Sequence, residues 1–248
     1  MSKNDLVGKL VVVTGGSNGI GAATVRAFAE LSATVVVGYH SSEKRALDLI
    51  DSLPGTGHTA VRLDLAEPAS FARLADTLSA YSKVDVLVNS AGYTKAITHS
   101  DLDTMDDATF EEILVANARG PYSAIRALVP LLRASGDGVV INVSSISGFT
   151  ASGSNIAYCA SKAALDNLTM SLARALGPDV RFFSVSPGAV ATGFVPGRDM
   201  AALEAGAQST PLKKVITPED VASAISACVT NFTVSTGIRI VVDGGRHL

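Results

Sequence analysis

Tyr158-Cys159-Ala160-Ser161-Lys162, with Ser145 thirteen residues upstream of the tyrosine, offers a phenol, an amine and a hydroxyl that can act together on one carbonyl group. If residues 157–176 form a helix, Tyr158 and Lys162 lie one turn apart on one face. A free phenol has a pKa of about 10 and exchanges its proton poorly near neutrality. An ammonium held beside it stabilises the phenolate and lowers that value, so the pair can work as acid and base. Taken alone, Tyr-x-x-x-Lys on a buried helix also describes a packed ring beside a solvated lysine. What lies upstream separates the two readings.

Thr14-Gly15-Gly16-Ser17-Asn18-Gly19-Ile20-Gly21 directly follows the apolar run Leu10-Val11-Val12-Val13. A continuous β-branched run fits a strand buried on both faces, and residues 20–31 read as an amphipathic helix. The glycines therefore sit at a strand-to-helix turn. There, missing side chains let backbone approach a pyrophosphate, and the helix start offers unpaired N–H groups at the positive end of its dipole. Gly15, Ser17, Asn18, Gly19, Ile20 and Gly21 are candidate cofactor contacts on that ground.

The elements that must position these groups alternate along the chain. Strands are expected near 9–14, 34–38, 59–63, 84–89, 138–143, 180–186 and 238–242. Helices are expected near 19–32, 42–53, 68–81, 106–133, 157–176, 194–206 and 217–229. Such alternation predicts an α/β fold, a single Rossmann-like doubly wound parallel sheet of about seven strands with helices on both faces. The glycine turn, Asn89-Ser90-Ala91-Gly92, Ser144-Ser145 and Ser186-Pro187-Gly188 all fall just beyond strand C-termini, where open α/β sheets bind ligands.

Composition agrees with one enzyme domain spanning 1–248. Hydrophobic residues make up 47% and charged residues 17%, enough for a large core, and no linker-like stretch divides the chain. A net charge of −3 lacks the basic footprint of a nucleic-acid binder. No apolar stretch is long enough for a membrane span. The polar start Met1-Ser2-Lys3-Asn4-Asp5 is not a secretory apolar region, and two cysteines, Cys159 and Cys228, make no disulfide framework; a cytoplasmic location is expected. Cys159 has no histidine near it in sequence to make it a nucleophile. The four histidines show no ligand spacing, so no metal is expected.

With these motifs in order, the chain resembles the short-chain dehydrogenase/reductase family over nearly its whole length, and is most similar to bacterial β-ketoacyl carrier-protein reductases and related ketoreductases. The likeness also takes in Asp64, Asn117, Pro187-Gly188 with Thr192, and Val242-Asp243-Gly244-Gly245. Two departures are small: Ser90 stands where a second asparagine is usual, and Phe183-Ser184 replaces a common valine-asparagine pair. The resemblance implies a catalytic set of Asn117, Ser145, Tyr158 and Lys162. Tyr158 would give or take the proton, Ser145 would hold the carbonyl oxygen, and Lys162 would tune Tyr158 and bond the nicotinamide ribose. Asn117 would hold a water linking Lys162 to solvent. It further implies adenine contacts at Asp64 and the backbone of Leu65, an adenosine wall of Asn89, Ala91 and Gly92, and contacts near the nicotinamide from Pro187, Gly188, Val190 and Thr192.

Cofactor choice is expected at the end of the second strand, Val37-Gly38-Tyr39-His40-Ser41-Ser42. An NAD enzyme places a carboxylate there for the ribose 2′-hydroxyl, whereas a 2′-phosphate needs donors or positive charge. Tyr39 stands at the acid's position, while His40, Ser41, Ser42 and Arg45 offer donors. NADP(H) is favoured, with NAD(H) also accommodated.

The substrate pocket is expected to include Thr94, Ser145, Ile146, Phe149 and Phe194, under a short lid near 193–208. The resulting expectation is an oxidoreductase interconverting a carbonyl and a secondary alcohol by hydride transfer, working on a small molecule as a homo-oligomer, tetramer or dimer. An NAD-dependent alcohol or sugar dehydrogenase of the same family, a cofactor-binding regulator without turnover, and a dehydratase or epimerase with a retained nucleotide are the alternatives.

Overall fold

The computed structural model describes residues 5–197 and 199–248; Met1 to Asn4, part of the polar start, and Arg198 of the expected lid lie outside the described residues. The strands are β1 (Leu10–Thr14), β2 (Thr34–Tyr39), β3 (Thr59–Arg62), β4 (Val86–Asn89), β5 (Gly138–Val143), β6 (Val180–Pro187) and β7 (Ile238–Val242). All pair in parallel, in the order β3-β2-β1-β4-β5-β6-β7. This is the expected Rossmann-like sheet. Val/Ile runs lie where both faces are covered: β1, β4 and β5 are buried throughout, whereas the edge strands β3 and β7 are partly open.

Alternate strand residues feed two cores. Val11, Val13, Val35, Val37, Val88, Ile141 and Phe183 pack with α1 (Gly19–Glu30), α2 (Glu43–Asp51) and α9 (Pro218–Thr230). On the other face, Leu10, Val12, Leu87, Val140 and Phe182 meet α3 (Pro68–Leu78), α5 (Gly120–Ala134) and α7 (Ile156–Leu176).

Two expected helices differ, and one helix was not expected. The stretch 106–133 divides into α4 (Asp107–Leu114), a π-helical segment Val115–Arg119, and α5. Pro121 cannot donate an N–H to the Asn117 carbonyl four residues back, so a regular α ladder cannot run through and the turn widens. The helix expected from 194 starts at Met200, as α8 (Met200–Gln208), because Pro196 and Gly197 break the backbone and the Asp199 carboxylate then caps by accepting from Ala202 N. A four-residue helix, α6 (Ser147–Thr150), follows Ser145; it is too short to leave a periodic signal.

Candidate active site

The C-terminal ends of β1, β4, β5 and β6 open into one cavity of about 920 Å³. At its floor, β1 ends in Thr14, whose Oγ1 accepts from the backbone N–H groups of Ser90 (3.2 Å) and Ala91 (3.1 Å). This draws the loop after β4 onto the glycine turn. Gly15 has φ +65°, and a Cβ there would stand 2.8 Å from the Ala91 Cα, so no other residue fits.

Helix α1 begins at the same place. Its N-cap Asn18 is extended and makes no side-chain capping bond, which leaves the first N–H groups directed at the cavity wall formed by Ser17, Asn18, Gly19, Ile20 and Gly21. Farther along stand His40, Ser41, Ser42 and Arg45, with the Arg45 guanidinium donating to the Ser42 hydroxyl. Among the described residues no carboxylate lines the cavity, while Arg45, Lys162 and Arg246 do. Glycine backbone, an open helix start and cations suit a dinucleotide with phosphate charge.

Helix α7 carries the phenol and the amine. Asn155 caps it by accepting from Tyr158 N (2.7 Å), and its amide donates to Thr94 Oγ1 (3.1 Å) and Lys95 O (2.8 Å). One side chain thus seats the first turn of α7 against the loop after β4. Lys162 is only 4% exposed; its Nζ donates to Val143 O (2.8 Å) and lies 5.7 Å from the Tyr158 ring centre. Burial pulls the Lys162 ammonium down to about 8, against an opposing pull from the Asp166 carboxylate. Phe194 covers Tyr158, with ring centres 5.9 Å apart.

Ser145, buried, accepts from Ser147 N at 3.1 Å, and among the described residues no acceptor takes its own proton. Ser144 instead donates to Lys162 O at 3.3 Å, binding the end of β5 to α7. Thr94 and Ile146 line the same cavity, as do Ala91, Gly92, Pro187, Gly188, Val190 and Thr192.

Six expected site residues do not line it. Tyr39 points into the core beside Val35 and Val37, where burial and a hydrogen bond with Glu43 push its phenol above the usual value; strand alternation places it on the inward face. Asp64 stands behind His40, Oδ2 to Nε2 3.3 Å, and holds Ala66 N at 2.8 Å. That backbone hydrogen bond keeps its carboxyl below the usual range. Leu65 packs against the second core, beside Gly120. The Asn89 amide donates across the sheet to Asn142 Oδ1 (2.8 Å). Asn117 grips the backbone of Tyr93 from both ends, accepting from its N (2.9 Å) and donating to its O (2.8 Å). Phe149 is held between the Arg239 guanidinium, 4.6 Å from its ring centre, and the His247 ring, 5.6 Å away.

Other lining residues had no sequence signal of their own. Ser147 and Thr150 are the ends of α6, and Ser152 and Ser154 lie in the irregular stretch after it. Arg246 and His247 arrive from the chain's end, because Asp243 accepts from His247 N (2.9 Å), His247 Nδ1 (2.8 Å) and Gly245 N (2.8 Å). The Asp243-Gly244-Gly245 turn was the available clue. Cys159 is buried, and burial pushes its thiol up, which opposes thiolate chemistry.

A family model described as enoyl-(acyl carrier protein) reductase matches residues 15–247. A Picea abies protein named short-chain type dehydrogenase/reductase is 32% identical, covering 97% of this chain and 93% of its own. The chain belongs to the short-chain dehydrogenase/reductase family. It is accordingly an oxidoreductase, and its reaction is NAD(P)-dependent interconversion of a carbonyl and an alcohol. A Streptomyces violaceoruber protein named as a ketoacyl reductase of granaticin polyketide synthase is 40% identical, with 96% of each chain covered. Among solved structures, the Pseudomonas aeruginosa RhlG/NADP active-site complex superposes with a TM-score of 0.89 at 33% identity, covering all of both chains. No helix among the described residues of this short-chain dehydrogenase/reductase is long and apolar enough to cross a membrane.

Proposed function

We propose that this chain is an NADP(H)-favouring ketoreductase in which Tyr158 is the acid and base. The observation that carries the reading is the buried Lys162 ammonium 5.7 Å from the Tyr158 ring, in the same cavity as Ser145 and the open start of α1. A bound nicotinamide dinucleotide supplies or takes the hydride. Tyr158 gives its proton to the carbonyl oxygen during reduction and takes it back as phenolate during oxidation. Ser145 donates to that oxygen and steadies the negative charge developing there. Lys162 favours the phenolate of Tyr158 by its charge, and its remaining N–H groups can meet the ribose. Asn117, through Tyr93, fixes the wall opposite.

Gly15 to Gly21 take the pyrophosphate, and Ala91, Gly92, Pro187, Gly188, Val190 and Thr192 take the remaining cofactor surface. Preference for a 2′-phosphate rests on His40, Ser41, Ser42 and Arg45, with no carboxylate on that wall among the described residues; NAD(H) is accepted more weakly. Thr94, Ile146 and Phe194 contact the substrate. Residues 193–208 act as a lid, since Phe194, Val195, Ala202 and Leu203 line the cavity from one side. The chain works as one cytoplasmic domain and assembles as a tetramer or dimer, to which Tyr122 on α5 and Met170 on α7, both exposed, contribute.

The test is absorbance of the reduced nicotinamide against a panel of ketones, β-ketoacyl thioesters and secondary alcohols. Turnover with a kcat/KM higher for NADPH than for NADH is expected, and Tyr158→Phe should lose about 10²-fold or more in kcat while still binding nucleotide. Undiminished turnover in that variant would remove Tyr158 from the mechanism.

A further inference from the structure

One row of residues crosses five strands immediately beneath the cavity. Thr14, Asn89, Asn142, Ser184 and Arg239 are successive register partners on β1, β4, β5, β6 and β7. Their chain neighbours Val13, Val88, Ile141 and Phe183 face the α1 side, so the row faces α7. A polar row in a sheet otherwise built of Val, Ile and Phe must find hydrogen bonds.

Asn142, Ser184 and Arg239 find them on α7, whose Lys162, Asp166 and Thr169 recur on one face, while Thr14 bonds the loop after β4 and Asn89 Oδ1 has no partner among the described residues. Asn142 Nδ2 donates to Thr169 Oγ1 (2.9 Å), Ser184 Oγ donates to the same oxygen (3.0 Å), and Asn142 itself accepts from Asn89 (2.8 Å). At the end of the row, Arg239 donates to Asp166 Oδ2 through Nε (3.1 Å) and Nη2 (2.7 Å). Asp166 is 5% exposed, and its Oδ1 has no hydrogen-bond partner among the described residues. A buried carboxylate left with one empty oxygen is costly unless nearby positive charge compensates. Lys162 stands one helical turn away.

Arg239 also lies over the Phe149 ring of α6, the segment that follows Ser145. It therefore joins the arm carrying Ser145 to the helix carrying Tyr158 and Lys162. We propose that Asp166 and Arg239 are positioning residues for the reaction: together they lock α7 to the sheet and set the electrostatic surroundings of the Lys162 amine. This rests on the Tyr158 and Lys162 roles proposed above.

Among the described residues, charge around the ammonium is sparse. Tyr158 and Asp166 share its helix; β5 and the segment after it present the Val143 carbonyl and the hydroxyls of Ser144 and Ser145; β7 presents Arg239; His247 lies beyond Phe149. Removing the carboxylate should thus make the amine easier to deprotonate, and removing the guanidinium should make it harder.

The experiment follows kcat/KM for NADPH-dependent reduction against pH in the full chain. Asp166→Asn should move the alkaline limb, which the coupled Tyr158 and Lys162 set together, to lower pH by about half a unit or more, and Arg239→Gln should move it to higher pH. The double variant should return towards the wild-type limb, and Arg239→Lys should keep it. Limbs that overlay wild type, or that move in one direction for both single variants, overturn the inference even if rate or Tm falls. The pH dependence of unfolding reads the same ammonium without turnover, and the opposite shifts should appear there too. If wild type itself turns over no substrate, the functional reading fails, and the unfolding measurement still decides whether Asp166 governs Lys162.

Discussion

Gly148 lies against the backbone of Lys162: a Cβ built on it would stand 2.9 Å from the Lys162 carbonyl carbon and 3.0 Å from Ala163 N. Neither atom belongs to a flexible side chain, so a methyl group must push α6 away from α7. Gly148→Ala should therefore separate Ser145 from Tyr158 and Lys162, cost about 1–3 kcal/mol of stability, and lower kcat more than it raises KM for cofactor. Thermal unfolding with steady-state kinetics checks this, and a kcat equal to wild type would show that the two arms move independently.

Lys162 makes stability depend on pH with a definite sign. Its folded value of about 8 lies below the ordinary value of 10.5. Below about 8 both folded and unfolded chains hold the proton, and the cost of burying the charge is fully present. Between those values the folded chain has released a proton that the unfolded chain still holds, so stability rises with pH. The unfolding free energy of wild type minus that of Lys162→Met should grow by roughly 3 kcal/mol across this window. A difference that stays flat from neutral to strongly alkaline pH would contradict the buried ammonium.

The two adjacent serines should separate cleanly. Among the described residues no acceptor takes the Ser145 proton, whereas the Ser144 hydroxyl is committed to Lys162 O. Ser145→Ala is expected to lower kcat by about 10²-fold, as losing one donor to a developing oxyanion does, and Ser144→Ala by less than about tenfold. The reverse order in parallel assays would reassign the donor.

Arg45 supplies positive charge at the end of the cavity near His40. Arg45→Ala should weaken NADPH binding by about tenfold and leave NADH nearly unchanged, and added salt should narrow the gap. Fluorescence titration of both reduced nucleotides decides it; equal loss for the two would place Arg45 away from the 2′-phosphate.

Much of the site was legible because it is local. Val11 to Val13 announce a strand buried on both faces, the glycines after it need room that only glycine gives, and Tyr158 and Lys162 share a helix face by spacing alone. Period-two alternation also contained the inward turn of Tyr39, two residues beyond Val37. Pro121 held the cause of the widened turn at Asn117.

What tertiary structure alone decided is long-range register. Asp166 meets Arg239 from 73 positions away, Asn155 caps α7 while holding Thr94 from 61 positions away, and Arg246 and His247 reach the cavity from the chain's end. Periodicity records which face of an element is buried, because burial repeats with the backbone's own geometry. It does not record which strand lies beside which; that follows from sheet order, and only β6 lying between β5 and β7 brings Arg239 beneath the helix that carries Tyr158 and Lys162.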